Sequence, residues 1–487
     1  MTSTKKPDQK RAALRPDVCV IGSDPAGLSV AAMATAFGAS VVLVGHDRET
    51  YRLPAGTLQA QALRAAADQA FGGRHAGRFG IGLGQEPDIA FEAVRAHVQD
   101  VLRSAAPMNA LERYRAMGVR VLEGGAEFVD RAVLAAGGEL VRARRFVLAT
   151  GSRSSIPGIP GLEAIPYLTC DTPLDRTTLP SHLIVLGDGP VAVEAAQAYR
   201  RLGAQVTLIG ASARILEDED PEMAAVVDRT LRSEGVVIRT GMILDRIEKR
   251  GDAAFAAVVK NGESEETLEA SHLLVAAGRS PNLEGFGLDK ARIKADSTGI
   301  QVDRGLRTAN ARIYAIGTCV RGHAGSPVQE TDHHAGLVVR NILFRLPVHL
   351  EAIPIPRIVR TAPELAAIGM AEEEARARYG HIRILRSPFS DNGRARAERD
   401  MAGHVKAVVT PNGRILGCTI VGPRAGDLIV PWGLAMTKGL KVGDLAGLVY
   451  PHLTLSEATK TAAVEFLKPS AQNPWLRRLA GLVGRLG

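Results

Sequence analysis

The feature that most narrows the possible folds is one pattern written twice. From Asp17 to Val44, DVCVIG reads as a buried parallel strand, AGLSVAAMATAFG as a small-residue helix and SVVLV as a second strand. The same order returns from His182 to Ile209 as HLIVLG, GPVAVEAAQAYRRLG and AQVTLI, about 165 residues later. A strand followed by a helix and a parallel strand is a βαβ unit. The chain is therefore expected to be α/β, with two such units in tandem.

The intervening segments follow from the same reading. Helices are expected around residues 88 to 117, a β-rich stretch from Val119 to Val141, and a strand in RRFVLATG that ends at Gly151. SIPGIPGLEAIP has the composition of a crossover linker, SHLLVAAGRSPN closes the second unit, and ARIYAIG is a further strand, followed by a helix through HHAGLVVRNILFRL. After Pro354 and Pro356 alternating strands such as HVKAVVT and RILGCTIVG predict a separate α+β domain.

At 487 residues the chain exceeds what one hydrophobic core usually fills, so two to four domains are expected. The composition, 46% hydrophobic and 23% charged, is that of an ordinary globular enzyme, and no apolar run is long enough to span a bilayer. Residues 1–16 are polar and basic and read as a disordered lead-in. The formal charge of +8 is scattered without aromatic interleaving, which argues against nucleic acid. Cys19, Cys170, Cys319 and Cys418 stand far apart, with no CxxC or Cys/His spacing, so a metal site is not expected and a reducing, cytoplasmic setting is. Cys19 and Cys418 read as small buried hydrophobes.

Glycine-rich turns stand where each first strand passes into its helix. Such a turn lets backbone approach a pyrophosphate that then rests on the helix N-terminus. The first turn holds Gly22 and Gly27, the second Gly187, Gly189 and Ala192. Thr150 and Gly151 in ATG and Gly278 in AAGRSPN stand where proteins with two bound dinucleotides carry such motifs. Together the motifs predict two dinucleotide sites.

On these motifs the chain resembles the flavoprotein disulfide reductases, the family of dihydrolipoamide dehydrogenase, mercuric reductase and glutathione reductase. The resemblance runs from about Asp17 to Phe466 and includes YAIG at Tyr314 to Gly317, APELAAIGM and HLTLSE. It implies two Rossmann-like FAD- and NAD(P)-binding domains in tandem plus a C-terminal α+β dimerisation domain. The implied boundaries are 17–160 for the FAD-binding domain, 161–284 for the NAD(P)-binding domain, 285–355 for a central segment and 356–470 for a dimer interface. FAD and NAD(P)H are the implied cofactors and a homodimer the implied assembly. Gly317 and Thr318 would face the flavin, Glu194 the nicotinamide, and His452 with Glu457 would be the catalytic pair.

The departures from the family pattern bear on function. Asp24 replaces the second glycine of the FAD turn, and two like charges about 4 Å apart at an effective dielectric near 20 repel by roughly 4 kcal/mol. Gly45 stands where an acid would hold the adenosine ribose, with Asp47 and Glu49 as the alternative acids for the same hydroxyls. Thr318 replaces the aspartate that would bind the ribitol. Weakened FAD binding is expected. The redox CxxxxC is absent: its second cysteine aligns with Thr57, its first falls near Arg52, and the lysine that follows aligns with Gln61. A thiolate is the nucleophile of that chemistry and neither threonine nor arginine replaces it. Gly210 removes the acid that selects NAD. Arg214, four residues on, either meets an NADP 2′-phosphate, tilting the preference to NADP, or is a surface charge. His452 and Glu457 are either catalytic or an interface hydrogen bond.

Two functions follow from this pattern. One is an NAD(P)H-dependent flavoprotein without dithiol activity that passes electrons directly to a quinone, dye or second nucleotide. The other is a non-catalytic paralogue that binds a nucleotide or a protein partner as a dimer. In the tail NPWLRRLAGLVGRLG, Trp475, Leu476, Leu479, Leu482, Val483 and Leu486 share one helical face. That face either touches an anionic membrane peripherally or packs on its own subunit.

Overall fold

The computed structural model describes residues 13–45, 57–82, 88–109, 111–172, 178–251, 254–323, 328–348, 350, 353–469 and 474–483. The expected disordered lead-in lies almost wholly outside them, as do Asp47, Glu49 and Arg52. The chain forms two compact units, one of Met1–Gly187, Arg201–Gln205 and Leu244–Ala352, the other of Asp188–Arg200, Val206–Ile243 and Ile353–Gly487.

The first unit is built on a five-stranded parallel sheet in the order Ile313–Ala315, Arg145–Leu148, Val18–Ile21, Val41–Gly45, Arg120–Glu123. Its central strand is covered on both faces, which is why Val18 to Ile21 are all apolar rather than alternating. Val18 and Val20 pack with helices Pro25–Ala36 and Val328–Phe344, through Ala31, Ala34, Ala335 and Val338. Cys19 and Ile21 point the other way, against Phe128, Leu134 and Phe146. Ala126–Phe128, Leu134–Ala136 and Glu139–Val141 form the antiparallel meander that supplies Phe128 and Leu134 to that face.

Part of the second βαβ unit also lies here. His182–Leu186 pairs in parallel with His272–Val275, which pairs with Leu168–Thr169. SHLLVAAGRSPN is not one strand. Arg279–Pro281 breaks away and pairs antiparallel with Ser152–Ser154.

The second unit carries helix Pro190–Leu202 up to Arg200, strand Gln205–Ile209 from Val206, paired in parallel with Val237–Arg239, and helix Pro221–Ser233. Its largest element is an antiparallel sheet in the order Arg357–Val359, Glu364–Gly369, Ile415–Gly422, His404–Val409, Arg383–Pro388. Trp432, Phe389 and Ile420 are fully buried in its core. The expected α+β character after Pro356 is present. Among the described residues no helix is long and apolar enough to cross a membrane. Pro474–Val483 is helical, with Trp475 and Val483 exposed, and Arg485 and Leu486 lie outside the described residues.

One buried ionic cluster holds this unit together. Lys406 and Asp220 are each only 4% exposed, and the Lys406 ammonium lies 2.7 Å from Asp220 and 2.9 Å from both Glu222 and Glu372. Asp220 also caps helix Pro221–Ser233, accepting from the amides of Glu222 and Met223. Arg386 and His404 close on Glu222, and hydrogen bonds from Arg386 and Lys406 hold its carboxyl far below the usual range. Breaking a buried pair by removing one partner leaves an uncompensated charge and typically costs about 3 to 5 kcal/mol. Lys406→Met is therefore expected to destabilise the chain by about that much in urea unfolding, and a change below about 1 kcal/mol would show the cluster to be hydrated.

Candidate functional site

The first glycine turn follows from strand geometry. Gly22 has φ +117°, and a Cβ there would overlap the carbonyl oxygen of Ala149. Only glycine permits the turn to run so close to the end of Arg145–Leu148. Gly27 is equally constrained, since a Cβ on it would overlap the Gly22 carbonyl. Gly317, at φ +70°, begins a short 3-10 turn carrying Thr318 and packs against Ala26 at the start of helix Pro25–Ala36. Thr150 donates to the Asn282 carbonyl at 2.7 Å, and Asn282 donates back to the Thr150 carbonyl at 3.0 Å and through its amide to Gly151. Gly278 accepts from the Ser155 amide. The structure thus brings Gly22, Gly27, Thr150, Gly151, Gly278, Gly317 and Thr318 into one unit.

Asp24 is the N-cap of helix Pro25–Ala36, followed by proline at the first helical position, and its Oδ1 accepts from the Gly27 amide at 3.0 Å. It is partly buried. Desolvation pushes its carboxyl up to about 7, with hydrogen bonds from the Gly27 and Ala26 amides opposing and the Asp332 carboxylate reinforcing the rise. The helix N-terminus, the natural resting place for a phosphate, already carries a carboxylate. A pyrophosphate does not fit this turn unless Asp24 leaves the amide. Gly45 ends its strand beneath the turn, where a Cβ would lie 2.6 Å from the Ser23 hydroxyl.

The second turn differs at the corresponding position. Gly187 has φ +135°, Ala192 is fully buried, and a Cβ at Gly189 would meet no atom within 4 Å. Gly189 leaves room for a phosphate where Asp24 fills it, and these residues fit a dinucleotide. The other expected ligands are committed elsewhere. Arg214 donates to the carbonyls of Leu216 at 2.7 Å, Glu219 at 2.8 Å and Glu217 at 2.5 Å, with a longer bond to Ile215. Glu194 accepts from the Arg360 amide at 2.7 Å, while Gln197 exchanges two hydrogen bonds with Ala362.

His452 is 75% exposed, and its Nδ1 lies 2.9 Å from Glu457. Hydrogen bonds from His452 and the Thr454 amide lower the Glu457 carboxyl, so the glutamate is ionised and orients the ring. All four cysteines are free. Cys319 is buried, its thiol directed at the Ile316 and Leu148 carbonyls, and burial pushes it up to about 11. Burial likewise pushes Cys170 up to about 11 and raises Cys19 and Cys418 well above the ordinary thiol range. None has the environment of a reactive thiolate. Among the described residues no group of three or more His, Cys, Asp or Glu is arranged to hold a metal ion. Sequence reasoning missed the capping role of Asp24, although Asp followed by Pro ahead of a helix is its signature. It also missed the place of Asp188, which Ser212 contacts through its amide at 2.9 Å.

Comparison with known proteins agrees with this architecture. The family model for pyridine nucleotide-disulphide oxidoreductase matches residues 16–336, and that for the dimerisation domain of the same family matches residues 355–463. A mercuric reductase from Streptomyces lividans is 32% identical over 94% of this chain and 97% of its own length. A dihydrolipoyl dehydrogenase from Thermus scotoductus is 33% identical, over 92% and 96% respectively. The solved structure of the HOCl-induced flavoprotein disulfide reductase RclA from Escherichia coli superposes with a TM-score of 0.80 at 24% identity, over 92% of this chain and 99% of that one. With both of its domains matched in order and relatives of this identity aligned over nearly their full lengths, the chain belongs to the pyridine nucleotide-disulfide oxidoreductase family.

Proposed function

We propose that this member of an FAD- and NAD(P)-dependent family binds a nicotinamide dinucleotide at its second turn. It passes electrons directly to a small acceptor, a quinone, dye or second nucleotide, without a dithiol relay. The observation that carries this reading is the second turn, where a Cβ at Gly189 would meet no atom within 4 Å, so the phosphate approach is clear. The absence of any CxxxxC removes the relay. His452, oriented by Glu457, is the group available to hold or deliver a proton. Glu194, bonded to the Arg360 amide, fixes the path of that segment. The tilt towards NADPH drawn from Arg214 loses its basis, because that guanidinium is already used by backbone carbonyls.

A second reading, a non-catalytic dimer that binds a nucleotide or a protein partner, is favoured by one observation, the Asp24 carboxylate on the first helix N-terminus. The matched dimerisation domain points to a homodimer under either reading. A cytoplasmic location, with peripheral membrane contact through the exposed Trp475 and Val483 of the tail helix, completes the proposal.

Three measurements test these readings. With NADH or NADPH as donor, lipoamide, glutathione disulfide and Hg(II) should not be reduced at ordinary flavoenzyme rates, whereas a quinone or dye should be. Turnover of any of the first three would refute the loss of dithiol chemistry, and no turnover of quinone or dye would favour the non-catalytic dimer. FAD titration should show weak binding that weakens further as pH rises through about 7, because the anionic form of Asp24 opposes the pyrophosphate while the protonated form does not. Asp24→Gly should tighten FAD about tenfold or more, the equivalent of about 1.4 kcal/mol. Asp24→Asn should flatten the pH dependence, and FAD affinity unchanged in both variants would sink this account. In flotation with anionic liposomes at low salt, the full chain should rise and a chain ending at Asn473 should not; equal flotation removes the membrane contact.

A further inference from the structure

The second turn carries a feature that its motif does not predict. The strand Gln205–Ile209 is followed by Gly210, which has no side chain where the family pattern puts a ribose-binding acid. That place is not empty. A Cβ on Gly210 would lie 2.6 Å from the Cβ of Asp188 and 2.7 Å from its Oδ2. The Asp188 carboxylate reaches over the strand end from the turn itself, and its Oδ2 accepts from the Ser212 amide at 2.9 Å. The first turn shows the same substitution of parts with a neutral group, since Ser23, also the residue after the first glycine, covers Gly45.

We infer that Asp188 is the residue that selects the nicotinamide nucleotide, its carboxylate standing in for the missing strand-end acid and favouring an unphosphorylated ribose diol, so that the chain takes NADH in preference to NADPH. This rests on the reading of the second turn as a nicotinamide dinucleotide site. One oxygen of Asp188 is fixed by the Ser212 amide, which orients the group. A carboxylate accepts hydrogen bonds from both ribose hydroxyls and repels a 2′-phosphate. Arg214, the nearby cation in the sequence, does not offset that repulsion, because it donates to four carbonyls of its own loop. Gly210 is then required by the arrangement, because a side chain there would collide with Asp188.

The test is equilibrium binding of NADH and of NADPH to the full chain by isothermal titration calorimetry at constant pH and salt. Wild type should bind NADH at least about tenfold more tightly than NADPH. Asp188→Asn, which keeps the size of the side chain, should bring the two affinities within about threefold of each other. Gly210→Glu alone should weaken both nucleotides by crowding Asp188, and the double variant Asp188→Gly with Gly210→Glu should recover the NADH preference. Equal or tighter NADPH binding by wild type overturns the inference without the nucleotide reading, as does a ratio unchanged in folded Asp188→Asn. Failure of both nucleotides to bind wild type overturns the nucleotide reading and the inference with it.

Discussion

The first unit depends on how closely the turn at Gly22 approaches the carbonyl of Ala149. Two parallel strands, each hydrogen-bonded through its full length, end side by side, and the chain must leave one of them without striking the other. Absence of a Cβ at Gly22 solves this locally. It also fixes where helix Pro25–Ala36 begins, and therefore where its first amides point. Gly317 against Ala26, and Thr150 joined to Asn282, are later contacts on the same frame. The frame of this turn thus rests on backbone packing at Gly22 and Gly27 rather than on a ligand contact.

The two turns show how one carboxylate can have opposite consequences a single position apart. At the position after the first glycine, Asp188 lies beside the strand end, where ribose hydroxyls are the expected neighbours. One position further, Asp24 faces the helix amides, where phosphate is expected. The difference is of direction, not of charge. An amide that donates to Asp24 supplies the same kind of bond that it would give a phosphate oxygen, so the helix dipole is satisfied without a ligand.

Much of this was legible in the sequence because strands buried on both faces announce themselves as continuous apolar runs. Val18 to Ile21 and His182 to Leu186 were readable for that reason, as were the glycines between strand and helix. The fate of polar groups was less legible. The sequence shows that Asp24 is acidic, and a charge facing a pyrophosphate is the immediate reading, but the competing partner is an amide three residues away. Arg214 looked available because its acceptors are backbone carbonyls, which carry no signature in residue type. The splitting of SHLLVAAGRSPN is also tertiary: Arg279 bonds to Ser152 and Asp171, more than a hundred residues earlier.

The buried cluster around Lys406 also limits how this protein can change over generations. At the second turn Gly189 can be exchanged singly, since a Cβ there would meet no atom within 4 Å. Lys406 and Asp220 have no such freedom, because loss of either leaves the other charged and out of water. A neutral, apolar replacement would have to alter several positions from Asp220 to Lys406 together, passing through intermediates less stable than either end. The framework of the second unit is therefore held by an all-or-none constraint.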